Sequence, residues 1–238
     1  MPHQRFPRWI VTNSVQHRVS EIIEITLIKE ETLSHRLKFH PNWKLYREIY
    51  GGEMRNQLKI LLPENRIDVL LSIGKEKSIA TSEYYIKAGE VPYKIAYVYK
   101  GLFRYLYTND KGDEFTKGII AENFFLSSYS AMILCKPSYF SIEALEDSQV
   151  LEIIWKDFTH LLENDIFWIK FLLKLVEKGF MIKEKRERDL LLLDAEMRYN
   201  NFLEEFPGMD QRIKQSIIAS YLGIKPETLS RIRKKIIS

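Results

Sequence analysis

The chain has 238 residues, 45% of them apolar, and a net charge of +4, enough for one large or two medium packed domains. Its single cysteine, Cys135, excludes an intramolecular disulfide and a cysteine-ligated zinc or iron–sulfur centre; within the apolar run 131–135 it reads as a small buried hydrophobe. No stretch approaches the ~20 apolar residues of a membrane span and the start has no signal-peptide core, so the expected compartment is the cytoplasm, with no membrane partner.

Residues 1–57 show weak periodicity, scattered basic and aromatic residues and no domain-sized core, and read as an N-terminal extension with a helix over about 20–33. Gly51-Gly52-Glu53-Met54 offers a second reading, because purine-rich codons before a methionine suit a ribosome-binding sequence. Met54 is then a candidate start and residues 1–53 are not native. The alternative is a genuine extension that aids dimerisation or recruits a partner.

Residues 58–156 read as a β-roll. Short runs rich in Tyr, Ile, Phe and Val, at 84–86, 96–99, 102–107, 115–120, 139–145 and 150–154, are separated by turn residues such as Ala88-Gly89-Glu90 and Asn109-Asp-Lys-Gly112. No helical pattern separates neighbouring strands, so the spacing predicts an antiparallel roll or barrel and not βαβ units. His3, His17, His35, His40 and His160 all lie outside the strand region, which argues against a metal-dependent barrel enzyme; neither metal, other cofactor nor catalytic residue is expected.

Residues 157–193 read as one long helix. Leu162, Ile166, Ile169, Leu173, Val176 and Phe180 recur at alternating steps of four and three, a heptad seam. A second apolar set, Phe158, Leu161, Trp168, Leu172 and Leu175, lies on an adjoining face. One face suits the roll; the other suits the same helix of a second copy, since a twofold pairing is self-complementary.

Residues 194–238 carry a helix expected over 194–206, ended by Pro207-Gly208, and then a helix-turn-helix. Ala219 is small where two helices cross, Gly223 reverses the backbone, and Ile218, Leu222, Ile224, Leu229 and Ile232 lock the pair together. Pro226 tolerates only the first turn of a helix, so the second helix starts there. Residues 209–238 hold seven basic side chains against two acidic ones, a net +5 in a chain of +4. Positive charge confined to the end bearing the turn is a footprint for double-stranded DNA. Glu227 and Arg231 are the candidate base contacts, because glutamate accepts from cytosine and arginine grips guanine. Lys225, Thr228, Ser230, Arg233, Lys234 and Lys235 are the candidate phosphate contacts.

The segments Ala88-Gly-Glu90, Lys100-Gly-Leu-Phe-Arg104, Ile142-Glu-Ala-Leu-Glu-Asp-Ser148, Glu196-Met-Arg-Tyr199 and Ala219 to Arg233, in this order, resemble the CRP/FNR family of bacterial transcription regulators, in particular the branch common in Bacteroidetes-type bacteria. The resemblance covers about residues 58–238. It implies an α+β protein: an N-terminal β-roll of the cyclic-nucleotide-binding-like (jelly-roll) kind, a long dimerisation helix and a C-terminal helix-turn-helix domain. It further implies a homodimer on an inverted-repeat operator, and Glu227 and Arg231 match the family's base-reading positions. RNA polymerase and an unknown small-molecule effector are candidate partners.

Cyclic-nucleotide members hold the ligand phosphate with a helix opening Gly-Glu and an arginine followed by Ser or Thr. The corresponding stretch, 121–138, opens Ala121-Glu122 and has no arginine beside Pro137 or Ser138, so no cyclic AMP response is expected. Arg104, Lys117, Glu122, Ser127 and Lys136 remain as polar candidates for another effector, while Phe124, Phe125, Tyr129 and Phe140 are bulky enough to fill the pocket. Two other readings stand beside the regulator: a small-molecule-binding β-barrel sensor with an incidental tail, and a protein-interaction adaptor with a basic helical tail.

Overall fold

The computed structural model describes residues 53–237; the extension up to residue 52, with the helix expected over 20–33, lies outside them. Two helices open the described chain, α1 (Glu53–Leu58) and α2 (Glu64–Ile73). Eight strands follow: β1 (Gly74–Ile79), β2 (Tyr84–Ile86), β3 (Lys94–Lys100), β4 (Phe103–Thr108), β5 (Glu114–Ile120), β6 (Phe124–Leu126), β7 (Ser141–Ala144) and β8 (Ser148–Ile154), with the short α3 (Tyr129–Ile133) between β6 and β7. They form two antiparallel sheets, ordered β1-β8-β3-β6 and β2-β7-β4-β5. The rest is helical: α4 (Trp155–Asn164), α5 (Ile166–Leu192), α6 (Ala195–Glu205), α7 (Met209–Arg212), α8 (Gln215–Leu222) and α9 (Pro226–Ile237).

Strand periodicity sorts the side chains into two cores. Along β3, Ala96 and Val98 enter the core between the sheets, whereas Ile95 and Tyr97 face the helices, the period of two that a pleated strand imposes. β8 repeats this, with Val150 inside and Leu151 and Ile153 outside. β3 is covered on both faces along most of its length, so it lacks the polar alternation of a half-exposed strand. Leu58, Ile67, Leu70, Phe158, Trp168 and Phe171 complete the outer core. Each such side chain contributes roughly 1.5–3 kcal/mol by leaving water, which fixes α1, α2, α4 and the first turns of α5 to the roll. Met54 is buried in this core, four residues ahead of the boundary expected at 58.

All six expected runs contain strands, and β1 and β6 are additional. β1 reads Gly-Lys-Glu-Lys-Ser-Ile, too charged to announce itself, yet it pairs with β8 from Gly74↔Ile153 to Ile79↔Ser148. Cys135 is exposed, contrary to the buried position expected from its apolar neighbours. It follows the end of α3 at a positive φ of 50°, and the same turn leaves Ile133 and Leu134 exposed.

The long helix is two helices. Asp165 leaves helical geometry at φ −152°, ψ 118°, and its carboxylate accepts from the Phe167 N–H at 2.8 Å to cap α5, the role for which aspartate is favoured at a helix start. Arg66 binds the same carboxylate and lies over the Phe167 ring. Leu162 therefore belongs to α4, packed against the outer core, and leaves the seam. The remaining residues of the two faces differ in burial, with Ile169 of the seam half-buried. Phe158, Leu161 and Trp168 are buried, with Leu172 and Leu175 packed beside them. Ile166, Leu173, Val176 and Phe180 stay 47, 54, 39 and 65% exposed in the single chain.

Candidate nucleic-acid interface

The C-terminal unit is built on a third core in which Tyr199 and Phe202 of α6 meet Ile213, Ile218, Ala219, Leu222, Leu229 and Ile232. Asp194 caps α6 by accepting from the Met197 N–H at 2.9 Å. Gly223 adopts φ 66° after α8, and the Ile224 N–H returns to the Ala219 carbonyl at 3.0 Å, the left-handed termination that glycine permits. Pro226 begins α9, and the Lys225 carbonyl accepts from the N–H groups of Thr228 and Leu229. Two helices with a turn at Gly223 are thus present, the second starting at Pro226 as expected, with Ile218, Leu222, Leu229 and Ile232 buried and Ile224 partly so.

What α9 leaves outside is ordered by its 3.6-residue period. Glu227, Arg231 and Lys234 follow at steps of four and three and are exposed, with Lys225 exposed just ahead and Thr228 and Ser230 half-buried beside them. The Arg231 Nη2 donates to the Thr228 hydroxyl at 3.4 Å. The other two cations have protein partners: Arg233 approaches Asp210 at 3.7 Å, and Lys235 pairs with Glu196 on α6 at 2.7 Å, a hydrogen-bonded contact that raises its pKa. Arg212, counted in the basic footprint, bridges Glu122 and Glu146 of the roll. Among the described residues of the basic footprint, Lys214, Lys225, Arg231 and Lys234 are exposed and enter no ion pair, so the charge offered to a partner lies on the outer face of α9, in the turn ahead of it and at the start of α8.

The unit is seated on the roll by contacts that no local pattern signals. Ser220 of α8 accepts from the Thr116 N–H at 2.8 Å and donates to the Glu114 carbonyl at 3.2 Å. From α5, Arg186 donates to the Thr116 carbonyl at 3.0 Å and lies 4.0 Å over the Tyr221 ring. Together with the Arg212 bridge, these tie β5, α5 and α8 into one joint.

The five polar effector candidates do not converge. Arg104 is buried against Glu143 and Glu114 on the outer face beside α8. Glu122 is held by Arg212 and by the Gly101 N–H, hydrogen bonds that, against its burial, keep its carboxyl below the usual range. Ser127 donates to the Lys94 carbonyl, and Lys136 is exposed beyond α3. Of the four aromatics, only Phe140 joins the core between the sheets. Phe125 and Tyr129 pack on the outer core, and Phe124 lies beneath Lys178.

Lys117 is the exception in chemistry. Its amine sits 3.7 Å over the Phe140 ring with Tyr105 and Tyr107 nearby, and burial, reinforced by the charge of Lys183, pushes its pKa down to about 8. The folded chain then loses this proton before the unfolded one does, so the destabilisation is complete below pH 8 and is relieved as pH rises from 8 to 10.5. Lys117→Met should stabilise the chain at pH 7 by about 1–2 kcal/mol, less than the ~3 kcal/mol of the full shift because water still reaches the amine. Urea unfolding of both proteins at pH 7 and 10 checks this; parallel pH profiles would show that Lys117 bears no such cost.

The fold and surface define a class: a two-sheet roll joined through a long helix to a small helical unit that presents a turn and an exposed basic helix. This is the fold of the CRP/FNR regulators. Superposition on the c-di-GMP-responsive global regulator CLP of Xanthomonas campestris gives a TM-score of 0.62 at 15% identity, covering 73% of this chain and 91% of that one. FixK2 from Bradyrhizobium japonicum gives 0.60 at 20% identity, covering 69% and 84%. A protein from Eubacterium rectale assigned to the CRP/FNR family of transcriptional regulators gives 0.59 at 15% identity, covering 76% and 87%. No family model matches the sequence, and no curated protein matches it. Among the described residues no helix is long and apolar enough to cross a membrane, and no group of three His, Cys, Asp or Glu could hold a metal ion.

Proposed function

We propose that this chain is a sequence-specific DNA-binding transcription regulator of the CRP/FNR type, cytoplasmic and non-enzymatic, that acts as a homodimer on an inverted repeat. The observation that carries the reading is the face of α9, where Glu227, Arg231 and Lys234 stand exposed on one stripe while Leu229 and Ile232 anchor the opposite side. In this reading Glu227 and Arg231 read base edges, and Lys225, Thr228, Ser230 and Lys234 hold phosphates. Arg233 and Lys235 reach phosphates by exchanging their carboxylate partners. The exposed seam of α5 pairs with its twin and sets the two heads about 34 Å apart, one turn of duplex. RNA polymerase is the further partner such a dimer would address. The regulator does not respond to cyclic AMP in this reading: Glu122 is held by Arg212, and Lys136, the one cation of the stretch 121–138, is exposed and lacks the fork of a guanidinium.

Fluorescence anisotropy with the duplex upstream of its own gene and a random duplex of equal length tests the assignment. Arg231→Ala should narrow the preference between them by about 1–3 kcal/mol, whereas Lys234→Ala should weaken both alike and shallow the salt slope by about one. If both variants change specific and random binding equally, the roles given to the two residues are wrong. A chain that prefers no upstream fragment and binds without steep salt dependence is not the proposed regulator.

A further inference from the structure

The joint between the roll and the C-terminal unit holds a partly open pocket of about 460 Å³, within the range that holds a small ligand. Ile119 and Ile120 of β5, Phe124, and Phe202, Phe206 and Leu222 of the C-terminal unit form much of its apolar wall. Its polar lining is unevenly satisfied. Lys185 is paired with Asp189 and Glu205, and Asn201 donates to Asp189 at 3.3 Å. Arg186 and Arg198 have no ion-pair partner among the described residues. Arg186 spends one bond on the Thr116 carbonyl, and Arg198 donates from Nη1 to the Leu190 carbonyl at 3.1 Å. The Arg198 Nε is buried with no hydrogen-bond partner at all, a state that leaves its desolvation uncompensated.

We propose that this cavity is a binding site for a small molecule with an apolar body and a single carboxylate, the head meeting Arg198 and Arg186 and the body filling the space between β5, α5 and α6. Charge complementarity supports this occupant: the lining sets Lys185, Arg186 and Arg198 against Asp189 and Glu205, both of which Lys185 pairs with, so one positive charge is in excess on a mostly apolar wall, and a carboxylate supplies the acceptor that Nε lacks. Burial holds the Arg186 guanidinium below its ordinary pKa; Tyr221 and Glu205 offset this in part, and Arg198 adds to it. An anion at this position relieves both groups. The site lies outside the interior of the roll, and because its walls come from the roll, α5 and the C-terminal unit, an occupant would clamp the joint.

The inference is independent of DNA recognition, since its test contains no DNA. Titration calorimetry of the full chain with octanoate should show saturable binding, one per chain, at least about tenfold tighter than 1-octanol, which shares the body and lacks the charge. Arg198→Leu should erase the preference for octanoate, and Arg198→Lys should keep part of it. Ala121→Phe, which narrows the cavity and leaves both arginines in place, should weaken octanoate and octanol alike; circular dichroism verifies that each variant is folded. Absence of saturable octanoate binding by the wild-type chain, equal affinity for octanoate and octanol, or unchanged octanoate binding by folded Ala121→Phe overturns the proposal.

Discussion

Gly101→Ala should cost about 3–5 kcal/mol, a large part of the stability of a domain this size. Gly101 joins β3 to β4, where the chain passes from one sheet to the other, at φ 111°. Side chains avoid this region, and the conformation alone costs an alanine roughly 1–2 kcal/mol. The greater part comes from the neighbour. A Cβ on Gly101 would stand 2.7 Å from the Ser148 Cα, and a backbone atom at the start of β8 cannot rotate away. Ser148 is itself committed, accepting from the Leu102 N–H at 3.3 Å and donating to the Glu146 carbonyl at 2.7 Å. The same turn directs the Gly101 N–H onto Glu122, the carboxylate that Arg212 binds, so a shift here also loosens the joint with the C-terminal unit. Gly112→Ala is the comparison: φ is 84°, with no atom within 4 Å of the added Cβ, and only the conformational cost of about 1–2 kcal/mol remains. Urea unfolding of the two variants separates the terms; equal losses would mean that the close approach at Gly101 contributes nothing.

Features dictated by neighbours in the chain were legible in the sequence. Gly223, Pro226 and Ala219 constrain the backbone where they stand, so the turn and the start of α9 follow from them directly. The two faces were legible because a helix repeats every few residues, and burial follows them apart from Leu162, which belongs to α4, and Ile169, which is half-buried like Leu172 and Leu175. Asp165 broke the pattern unseen, since leucine at 162 continues the heptad arithmetically whether or not the helix does. β1 was illegible for a related reason: its lysines and glutamate hide a strand whose pairing is decided by β8, more than sixty residues on. Long-range polar partners were beyond reach altogether. Arg212 and Arg233 look alike in sequence, yet one is bound by the roll and the other by α7. Arg104 and Glu122 read from the sequence as candidates for an effector pocket, but they are held by Glu114, Glu143 and Arg212 beside the joint, and no periodicity encodes that.

Val176→Glu should leave the chain folded and halve its mass in solution. Val176 is 39% exposed in the single chain and belongs to none of the three cores, so the substitution removes little internal packing and its folding cost should stay within about 1 kcal/mol. In the proposed dimer the cost falls on association. Ile166, Ile169, Leu173, Val176 and Phe180 run along α5 for about 21 Å at the helical rise, and a twofold axis through such a seam brings each residue close to its own copy. Two carboxylates would then meet in a surface that must lose its water, without a cation on the seam to answer them. A regulator reduced to one head loses the second, intramolecular half-site, so affinity for the inverted repeat should fall by about 10²- to 10⁴-fold while binding to an isolated half-site is nearly unchanged. Sedimentation equilibrium and anisotropy on the two duplexes measure both effects. An unchanged mass would place the dimer contact elsewhere, and a halved mass with undiminished affinity for the inverted repeat would show that each head reads its site alone.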